Sequence, residues 1–195
     1  KMPPFVPDQT QILRIREALS KAGNKILYVL GEPGSGKSAL IEYAAGTLPE
    51  GVEVYRLELN ALEAGTGFRG TLEDRVEALI EAFKNNAKRI LFIDEFHTIM
   101  RLPDFMNRLK PPMGRGEITM INATTDEEYR DHVEKDVALT SRGSAVRLPK
   151  PDEAKVLDVL RANRERMAKH HGLEITDSAL KMTARLVMRY YTHEP

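Results

Sequence analysis

Short runs of hydrophobic residues alternate along the chain with segments whose hydrophobic residues recur at helical spacing. Residues 26–30, 90–93 and 118–121 are almost wholly apolar, and polar residues follow each run. Continuous apolar runs of this length are typical of strands that are buried on both faces, as in a parallel sheet. Residues 52–59 alternate apolar and polar positions, which predicts a strand with one less buried face. Residues 145–148 complete the predicted set of strands.

Helical segments separate and follow these strands. Apolar residues at helical spacing predict helices over residues 72–83, 152–171 and 176–191. Prolines and glycines interrupt residues 103–116, where we expect a broken stretch of chain.

Strands that alternate with helices predict an α/β fold, in which a central parallel sheet is flanked by helices. The sequence Pro149-Lys150-Pro151 is the best candidate for a domain boundary. We therefore expect a large α/β subdomain over residues 1–149 and a helical subdomain, present only in part, over residues 150–195.

A complete phosphate-binding motif follows the first apolar run. The segment that matches the pattern G-x-x-x-x-G-K-[ST] is Gly31-Glu32-Pro33-Gly34-Ser35-Gly36-Lys37-Ser38, and a helix-forming segment begins at Ala39. A buried strand, this loop and then a helix are the context that the motif requires, whereas a glycine-rich turn with a chance lysine is the alternative interpretation. The first subdomain is therefore predicted to bind nucleotide through residues 31–39.

Each residue type in this loop suits the phosphates of ATP or ADP. We expect Gly31, Gly34 and Gly36 to adopt left-handed conformations, so that consecutive N–H groups point at the phosphate oxygens. The start of the following helix adds positive partial charge. Lys37 would place its charge on the β- and γ-phosphates, and the Ser38 hydroxyl would ligate Mg²⁺.

Carboxylates and a threonine follow two other predicted strands. Asp94 is expected to associate with Mg²⁺ directly or through water, and Glu95 to polarise the attacking water. Thr124, or alternatively Asn122 or Thr125, would hydrogen-bond to the γ-phosphate or to that water. Taken alone, Asp94-Glu95 would be an ordinary solvated turn, and the threonines would be helix caps, since Thr125 and Glu128 fit a capping box.

Ligands of doubly wound sheets lie at the carboxyl ends of the strands. The sequence places four polar segments there: the phosphate-binding loop, Asp94-Glu95, residues 122–125 and the segment around Arg142. We expect all four to meet at this edge of the sheet.

Composition narrows the function further. Lys+Arg and Asp+Glu both number 29 in the 195 residues, so the formal net charge is zero. A protein dedicated to binding nucleic acid usually shows a basic excess, so nucleic acid is not an expected partner. A DNA-associated protein with this phosphate-binding motif is kept only as a weak alternative. The absence of cysteine excludes disulfides and thiolate zinc sites. No membrane span or secretory signal is visible, which favours a cytoplasmic protein.

Several segments carry a family resemblance. In chain order they are Gly31–Ser38, Phe68-Arg69-Gly70, residues 90–98, Leu109-Lys110-Pro111, Arg115-Gly116-Glu117, residues 123–130, residues 133–139 and residues 170–177. These segments resemble the first ATPase domain of the Clp family of AAA+ protein unfoldases (ClpA, ClpB, ClpC and ClpV). The phosphate-binding loop is generic, whereas Glu134-Lys135-Asp136-x-Ala138-Leu139 and His170-His171-Gly172 are specific to this family.

The resemblance implies a function and roles for individual residues. Glu95 would be the catalytic carboxylate, Thr124 the sensor residue, and Arg142 an arginine finger that acts on ATP in the neighbouring subunit. Phe68 and Arg69 would lie on a loop that faces a central pore and grips an extended polypeptide. The implied function is ATP-driven threading of polypeptide substrates through a homohexameric ring.

Two departures from the family pattern leave an alternative open. Ser141 stands where the family carries a first arginine, and Gly143 stands where it carries an aromatic residue. A nucleotide-gated assembly module with little or no turnover is therefore the second hypothesis.

Overall fold

The computed structural model describes residues 6–21, 23, 25–63 and 69–191. These residues form two compact units, one spanning Gln9–Leu148 and the other containing the described residues of Lys1–Asp8 and Pro149–Pro195. In chain order the first unit contains α1 (Gln9–Ser20), β1 (Ile26–Leu30), α2 (Lys37–Ala45), β2 (Glu53–Arg56), α3 (Leu59–Glu63), α4 (Arg69–Phe83), β3 (Arg89–Ile93), α5 (His97–Met100), α6 (Pro103–Arg115), β4 (Thr119–Thr124), α7 (Asp126–Glu128), α8 (Val137–Thr140) and β5 (Gly143–Arg147).

The described strands form a five-stranded sheet in the order β2-β3-β4-β1-β5, and every neighbouring pair is parallel. The α/β prediction is therefore confirmed. The central strands β1, β3 and β4 carry the predicted apolar runs, and their side chains are buried on both faces because helices cover the sheet on both sides. The edge strand β2 is shorter than the alternating pattern predicts, since Leu59 already belongs to α3.

One face of the sheet carries the larger hydrophobic core. Alternate strand residues, such as Tyr28 and Ile93, pack there against apolar side chains of α4, α5, α6 and α8. The Tyr28 hydroxyl donates a hydrogen bond to the Leu139 carbonyl at 3.0 Å, which ties the centre of the sheet to α8. Buried residues of α1 and α2, including Ile15 and Ile41, lie outside this cluster.

The expectation of a broken stretch over residues 103–116 is wrong. These residues form α6, with Pro103 in its first turn and Pro111 and Pro112 inside it. The prolines remove two backbone donors, but a continuous stripe buries Phe105, Met106, Leu109, Pro112 and Met113. Burial of this stripe outweighs the lost hydrogen bonds. The helix ends at Gly116, whose φ of 71° suits glycine.

A π-helical turn, Tyr129–Val133, follows α7 directly. The Glu134 N–H donates to the Tyr129 carbonyl at 2.9 Å, so the helical backbone changes its pitch after α7. This turn places the Tyr129 ring edge-on against Tyr28, with ring centres 5.1 Å apart.

The second unit contains α9 (Glu153–His171) and α10 (Asp177–Tyr191), as the helical spacing predicts. Asp152 caps α9 by accepting a hydrogen bond from the Lys155 N–H at 2.8 Å, and Gly172 ends the helix with φ 64°. Arg161 of α9 and Lys181 of α10 both contact the Asp177 carboxylate.

Candidate nucleotide-binding site

The phosphate-binding loop leaves the carboxyl end of β1 and enters α2. Gly34 and Gly36 have φ values of 73° and 86°, which confirms the left-handed conformations predicted for them. The same prediction for Gly31 is wrong. Glycine saves space there, because a Cβ would lie 2.9 Å from Ser35 Oγ and 3.3 Å from Leu148 Cβ, so that a side chain would have to shift.

Lys37 closes the loop on itself. Its Nζ donates to the Gly31 and Glu32 carbonyls, both at 2.9 Å. Burial lowers the pKa of Lys37, while the negative charges of Asp94 and, more weakly, Glu128 and Glu95 oppose that change. The ammonium group is therefore held at the loop by its own backbone, and phosphate oxygens would replace those carbonyls as acceptors.

Ser38 and Asp94 meet where α2 begins and β3 ends. The Ser38 hydroxyl donates to Asp94 Oδ2 at 2.7 Å, and the Glu95 N–H donates to Asp94 Oδ1 at 3.1 Å. Both carboxylate oxygens thus have donors. The two residues predicted to hold Mg²⁺ lie in direct contact.

Glu95 has a left-handed backbone, with φ 49°. This conformation costs a residue with a Cβ roughly 1–2 kcal/mol, so neighbouring contacts must hold it. The Glu95 carbonyl accepts hydrogen bonds from the Thr98 N–H at 2.8 Å and the Thr98 hydroxyl at 2.9 Å. The Phe96 N–H donates to the Ala123 carbonyl at 2.8 Å, and the Phe96 side chain is fully buried. These contacts fix the turn and leave the Glu95 side chain exposed.

Thr124 ends β4 and contacts a second carboxylate. Its hydroxyl donates to Glu128 Oε2 at 2.8 Å, and the same oxygen accepts from the Thr125 N–H at 3.1 Å and the Thr125 hydroxyl at 2.8 Å. The Glu128 N–H donates back to Thr125 Oγ1, so the predicted capping box is present. His97 Nδ1 lies 3.0 Å from Glu128 Oε2, within reach of an ion pair when the imidazole is protonated. Asn122, in contrast, is fully buried inside β4.

These contacts also affect the charge of Glu128. Burial raises its pKa, whereas the hydrogen bonds from Thr124 and Thr125 and the nearby His97 lower it. The lowering effects together outweigh burial, so the pKa lies below the ordinary value of a glutamate. Glu128 therefore holds the Thr124 hydroxyl as an ionised carboxylate at neutral pH.

The placement of Arg142 at the carboxyl edge is wrong. The Arg142 carbonyl accepts hydrogen bonds from the Lys25 and Ile26 N–H groups, and Gly143 pairs with Ile26, the first residue of β1. Arg142 precedes β5, so it lies at the amino edge of the sheet. Its Nε donates to the Gly114 carbonyl at 3.0 Å. The length of β1, about 13 Å at the usual rise per residue, separates this edge from the loop.

The sequence alone did not predict that Arg56 lies at the carboxyl edge. Arg56 ends β2, and its Nη2 lies 3.0 Å from Asp94 Oδ2 while its Nη1 lies 3.1 Å from Glu42 Oε1. The pairing of β2 with β3 brings it there. An arginine near the end of a predicted strand was the available signal, but the sequence does not show which strands are neighbours.

The residues of this edge fit Mg²⁺ and a nucleotide phosphate. Ser35 Oγ is buried beside the space that the missing Gly31 side chain leaves, and no described residue forms a hydrogen bond with it, as expected of a polar atom lining a ligand cradle. Oxygen ligands such as Ser38 and Asp94 are those that Mg²⁺ prefers. The predicted pore residue Phe68 lies outside the described residues, and Arg69 is described only as the first backbone position of α4.

Comparisons with known proteins agree with this geometry. Residues 27–147 match the family described as ATPase family associated with various cellular activities (AAA), and residues 152–194 match an AAA lid domain. The chain is 41% identical to the chaperone protein ClpC2, chloroplastic, of Oryza sativa subsp. japonica, over 97% of this chain and 22% of that protein. It is 37% identical to the chaperone protein ClpB of Mycobacterium tuberculosis, over 98% of this chain and 24% of that protein.

Solved structures show the same similarity. The structure of the S. cerevisiae Hsp104–ADP complex matches with a TM-score of 0.85 and 33% identity, over 98% of this chain and 29% of that chain. An S. cerevisiae Hsp104–casein complex matches with a TM-score of 0.84 and 32% identity, over 99% and 35%.

The chain spans about a fifth to a quarter of the length of these curated relatives, of which it covers 22% and 24%. Among the described residues, none of the helices combines the length and the apolar character that a membrane span needs. The chain belongs to the AAA ATPase family, and within it to the Clp-type chaperones that resemble ClpB, ClpC and Hsp104, as an AAA domain followed by its lid domain.

Proposed function

We propose that this module binds ATP and ADP with Mg²⁺ at the carboxyl edge of its sheet and hydrolyses ATP to drive the unfolding of polypeptides. The observation that carries the proposal is the contact between the Ser38 hydroxyl and Asp94 Oδ2, 2.7 Å apart, immediately beside Lys37 and Glu95. A phosphate-binding loop and a carboxylate pair that meet in this way are the parts that P-loop ATPases use.

When bound, the nucleotide supplies the phosphoryl group whose transfer to water releases free energy. The loop N–H groups and the Lys37 ammonium bind the phosphate oxygens, while Ser38 and Asp94 hold Mg²⁺. The exposed Glu95 carboxylate orients and polarises the attacking water from its fixed turn. Thr124 contributes its hydroxyl to the phosphate or the water after leaving Glu128.

Arg142 completes the site of a neighbouring copy in this proposal. Within one chain it lies at the amino edge, opposite the phosphate-binding loop. To stabilise the charge of a transition state, Arg142 would therefore have to act on the nucleotide of a second chain. This supports assembly of the module into a ring, which we propose to be a homohexamer.

The polypeptide partner is part of the same proposal. Solved structures of the similar Hsp104 contain casein, which supports an extended polypeptide as the substrate of this module. Phe68 and Arg69 would grip that polypeptide in the central pore. We propose that the module acts in the cytoplasm, with no membrane or nucleic-acid partner.

Nucleotide binding tests this proposal first. Lys37→Ala removes charge-assisted hydrogen bonds, so we expect the Kd for Mg-ADP to rise about 10- to 100-fold in a calorimetric titration. The matched control is Lys84→Ala, which removes a lysine that pairs with Glu81 at 3.0 Å; its Kd should equal that of the parent. Equal heats for the parent and Lys37→Ala would contradict the proposal.

One observation favours the assembly module as a second candidate. Arg142 Nε donates to the Gly114 carbonyl of its own chain, so this side chain already has an intramolecular hydrogen-bond partner. Sedimentation with a slowly hydrolysed ATP analogue, together with turnover measured over a concentration series, separates the candidates. Specific activity that rises with concentration supports the ATPase, whereas assembly without turnover supports the assembly module.

A further inference from the structure

Arg56 lies among three carboxylates at the end of β2. Its Nη2 is 3.0 Å from Asp94 Oδ2, its Nη1 is 3.1 Å from Glu42 Oε1, and its Nε is 3.5 Å from Glu58 Oε1. The guanidinium carbon also lies 5.8 Å from the centre of the Phe92 ring. One cation thus connects β2, α2 and the strand that carries the proposed metal carboxylate.

The contact with Asp94 uses an oxygen that the metal site also needs. Oδ2 accepts hydrogen bonds from both Ser38 and Arg56, while Oδ1 accepts the Glu95 N–H. Magnesium demands nearly ideal octahedral geometry and brings its own bound waters, which must find acceptors. A hydrated Mg²⁺ held beside Ser38 would therefore compete with the Arg56 guanidinium for Asp94 Oδ2.

We propose that Arg56 is a positioning residue that holds Asp94 in the metal-free site and withdraws when Mg²⁺ enters. This inference rests on the proposed nucleotide site. The guanidinium keeps Asp94 paired and in place beside Ser38 before the metal arrives. It also raises the Mg²⁺ concentration that is needed for binding, because Mg²⁺ has to displace the Arg56 guanidinium to reach the carboxylate.

The surroundings of Arg56 allow this exchange. Its side chain is 44% exposed, so it is free to change rotamer at the surface. Glu42 and Glu58 remain as partners after Asp94 is released, which keeps the charge of Arg56 balanced. The guanidinium plane carries five donors and is able to satisfy several carboxylates at once.

The test measures how strongly Mg²⁺ improves the binding of a fluorescent ADP, N-methylanthraniloyl-ADP. Fluorescence titrations give the ratio of the Kd measured in EDTA to the Kd measured in Mg²⁺. A Mg²⁺ titration at a fixed concentration of the fluorescent ADP gives the half-saturating metal concentration. In Arg56→Ala the Kd ratio should rise, and the half-saturating Mg²⁺ should fall, by about two- to fivefold, as expected for a partly exposed ion pair. Arg56→Lys keeps the charge but not the fork and should shift both values less.

The matched control is Arg108→Ala. Arg108, on α6, also holds two carboxylates, Glu73 at 2.6 Å and Glu77 at 3.1 Å, both on α4. Its Kd ratio should equal that of the parent, and melting curves of each variant should confirm that it folds.

The outcomes separate this inference from the proposed function. An unchanged Kd ratio in Arg56→Ala, or a weaker effect of Mg²⁺, overturns the competition while nucleotide binding itself stands. Absence of ADP binding in the parent, with or without Mg²⁺, overturns the proposed function and this inference together.

Discussion

The two edges of the sheet are built differently. At the carboxyl edge, side chains contact one another: Ser38 contacts Asp94, and Thr124 contacts Glu128. At the amino edge, Arg142 is held by backbone groups, through its own carbonyl and through the Gly114 carbonyl. The carboxyl edge is thus a formed site, whereas at the amino edge the Arg142 side chain is held by a hydrogen bond to a backbone carbonyl.

This difference indicates how the proposed chemistry divides between chains. A formed site has its carboxylates in place before a ligand arrives, so its residues should act within one chain. A cation at the opposite edge is too far away to serve that site, so it should act on the next chain. We therefore expect two classes of variant. A second chain should restore turnover that is lost through a variant of the amino edge, but not turnover that is lost through a variant of the carboxyl edge.

The largest effect is expected at the amino edge. Arg142→Ala should lower the rate of ATP turnover by about 10³–10⁵-fold, because an arginine finger stabilises charge in the transition state. A calorimetric titration should show an unchanged Kd for Mg-ADP, since the phosphate-binding loop is intact. Arg115→Ala, which removes a neighbouring arginine paired with Glu117, is the control. Unaltered turnover in Arg142→Ala would remove the amino edge from catalysis.

At the carboxyl edge, Glu95→Gln should lower turnover by about 10²–10⁴-fold, since it removes the carboxylate that polarises water. Glutamine retains the shape of the side chain, so Mg-ADP binding should persist. The measurement is steady-state release of phosphate beside a binding titration. If Glu95→Gln hydrolyses ATP as fast as the parent, another group acts as the base.

The smallest effect concerns the rigidity of the carboxyl edge. Glu128→Ala removes the capping box and the partner of Thr124, so the free energy of unfolding at pH 7 should fall by about 1 kcal/mol. Because the pKa of Glu128 is lowered in the folded chain, its contribution is present above the ordinary glutamate pKa. It is lost as the pH falls through the lowered value.

Urea unfolding at pH 7 and at acidic pH measures this contribution. The difference between the parent and Glu128→Ala should shrink in acid. The control Glu127→Ala, which changes an exposed neighbour, should alter stability by less than about 0.5 kcal/mol. A difference that grows in acid would show that Glu128 is not held as a carboxylate.

The sequence predicts the sheet and the carboxyl edge well. Apolar runs mark β1, β3 and β4 because both faces of these strands are covered. The contact of Ser38 with Asp94 follows from two motifs at the ends of parallel strands. Local pattern was sufficient here, since Asp94 follows β3 directly and Ser38 ends the motif that follows β1.

Other features depend on tertiary structure. Arg142 precedes a strand, and only the pairing of β5 with β1 shows which edge it occupies. Arg56 reaches Asp94 because β2 is the neighbour of β3, which the sequence does not specify. The helix α6 forms in spite of Pro111 and Pro112 because its apolar stripe is buried against other elements.

The division between the two edges is tested most directly by mixing variants. ATP turnover is measured for Glu95→Gln, for Arg142→Ala and for an equal mixture of the two at the same total concentration. Mixed assemblies contain sites with an intact Glu95 beside an intact Arg142 of the next chain, so the mixture should recover turnover that neither variant shows alone. A mixture that is no faster than the mean of the separate variants, under conditions in which the parent hydrolyses ATP, would contradict the account.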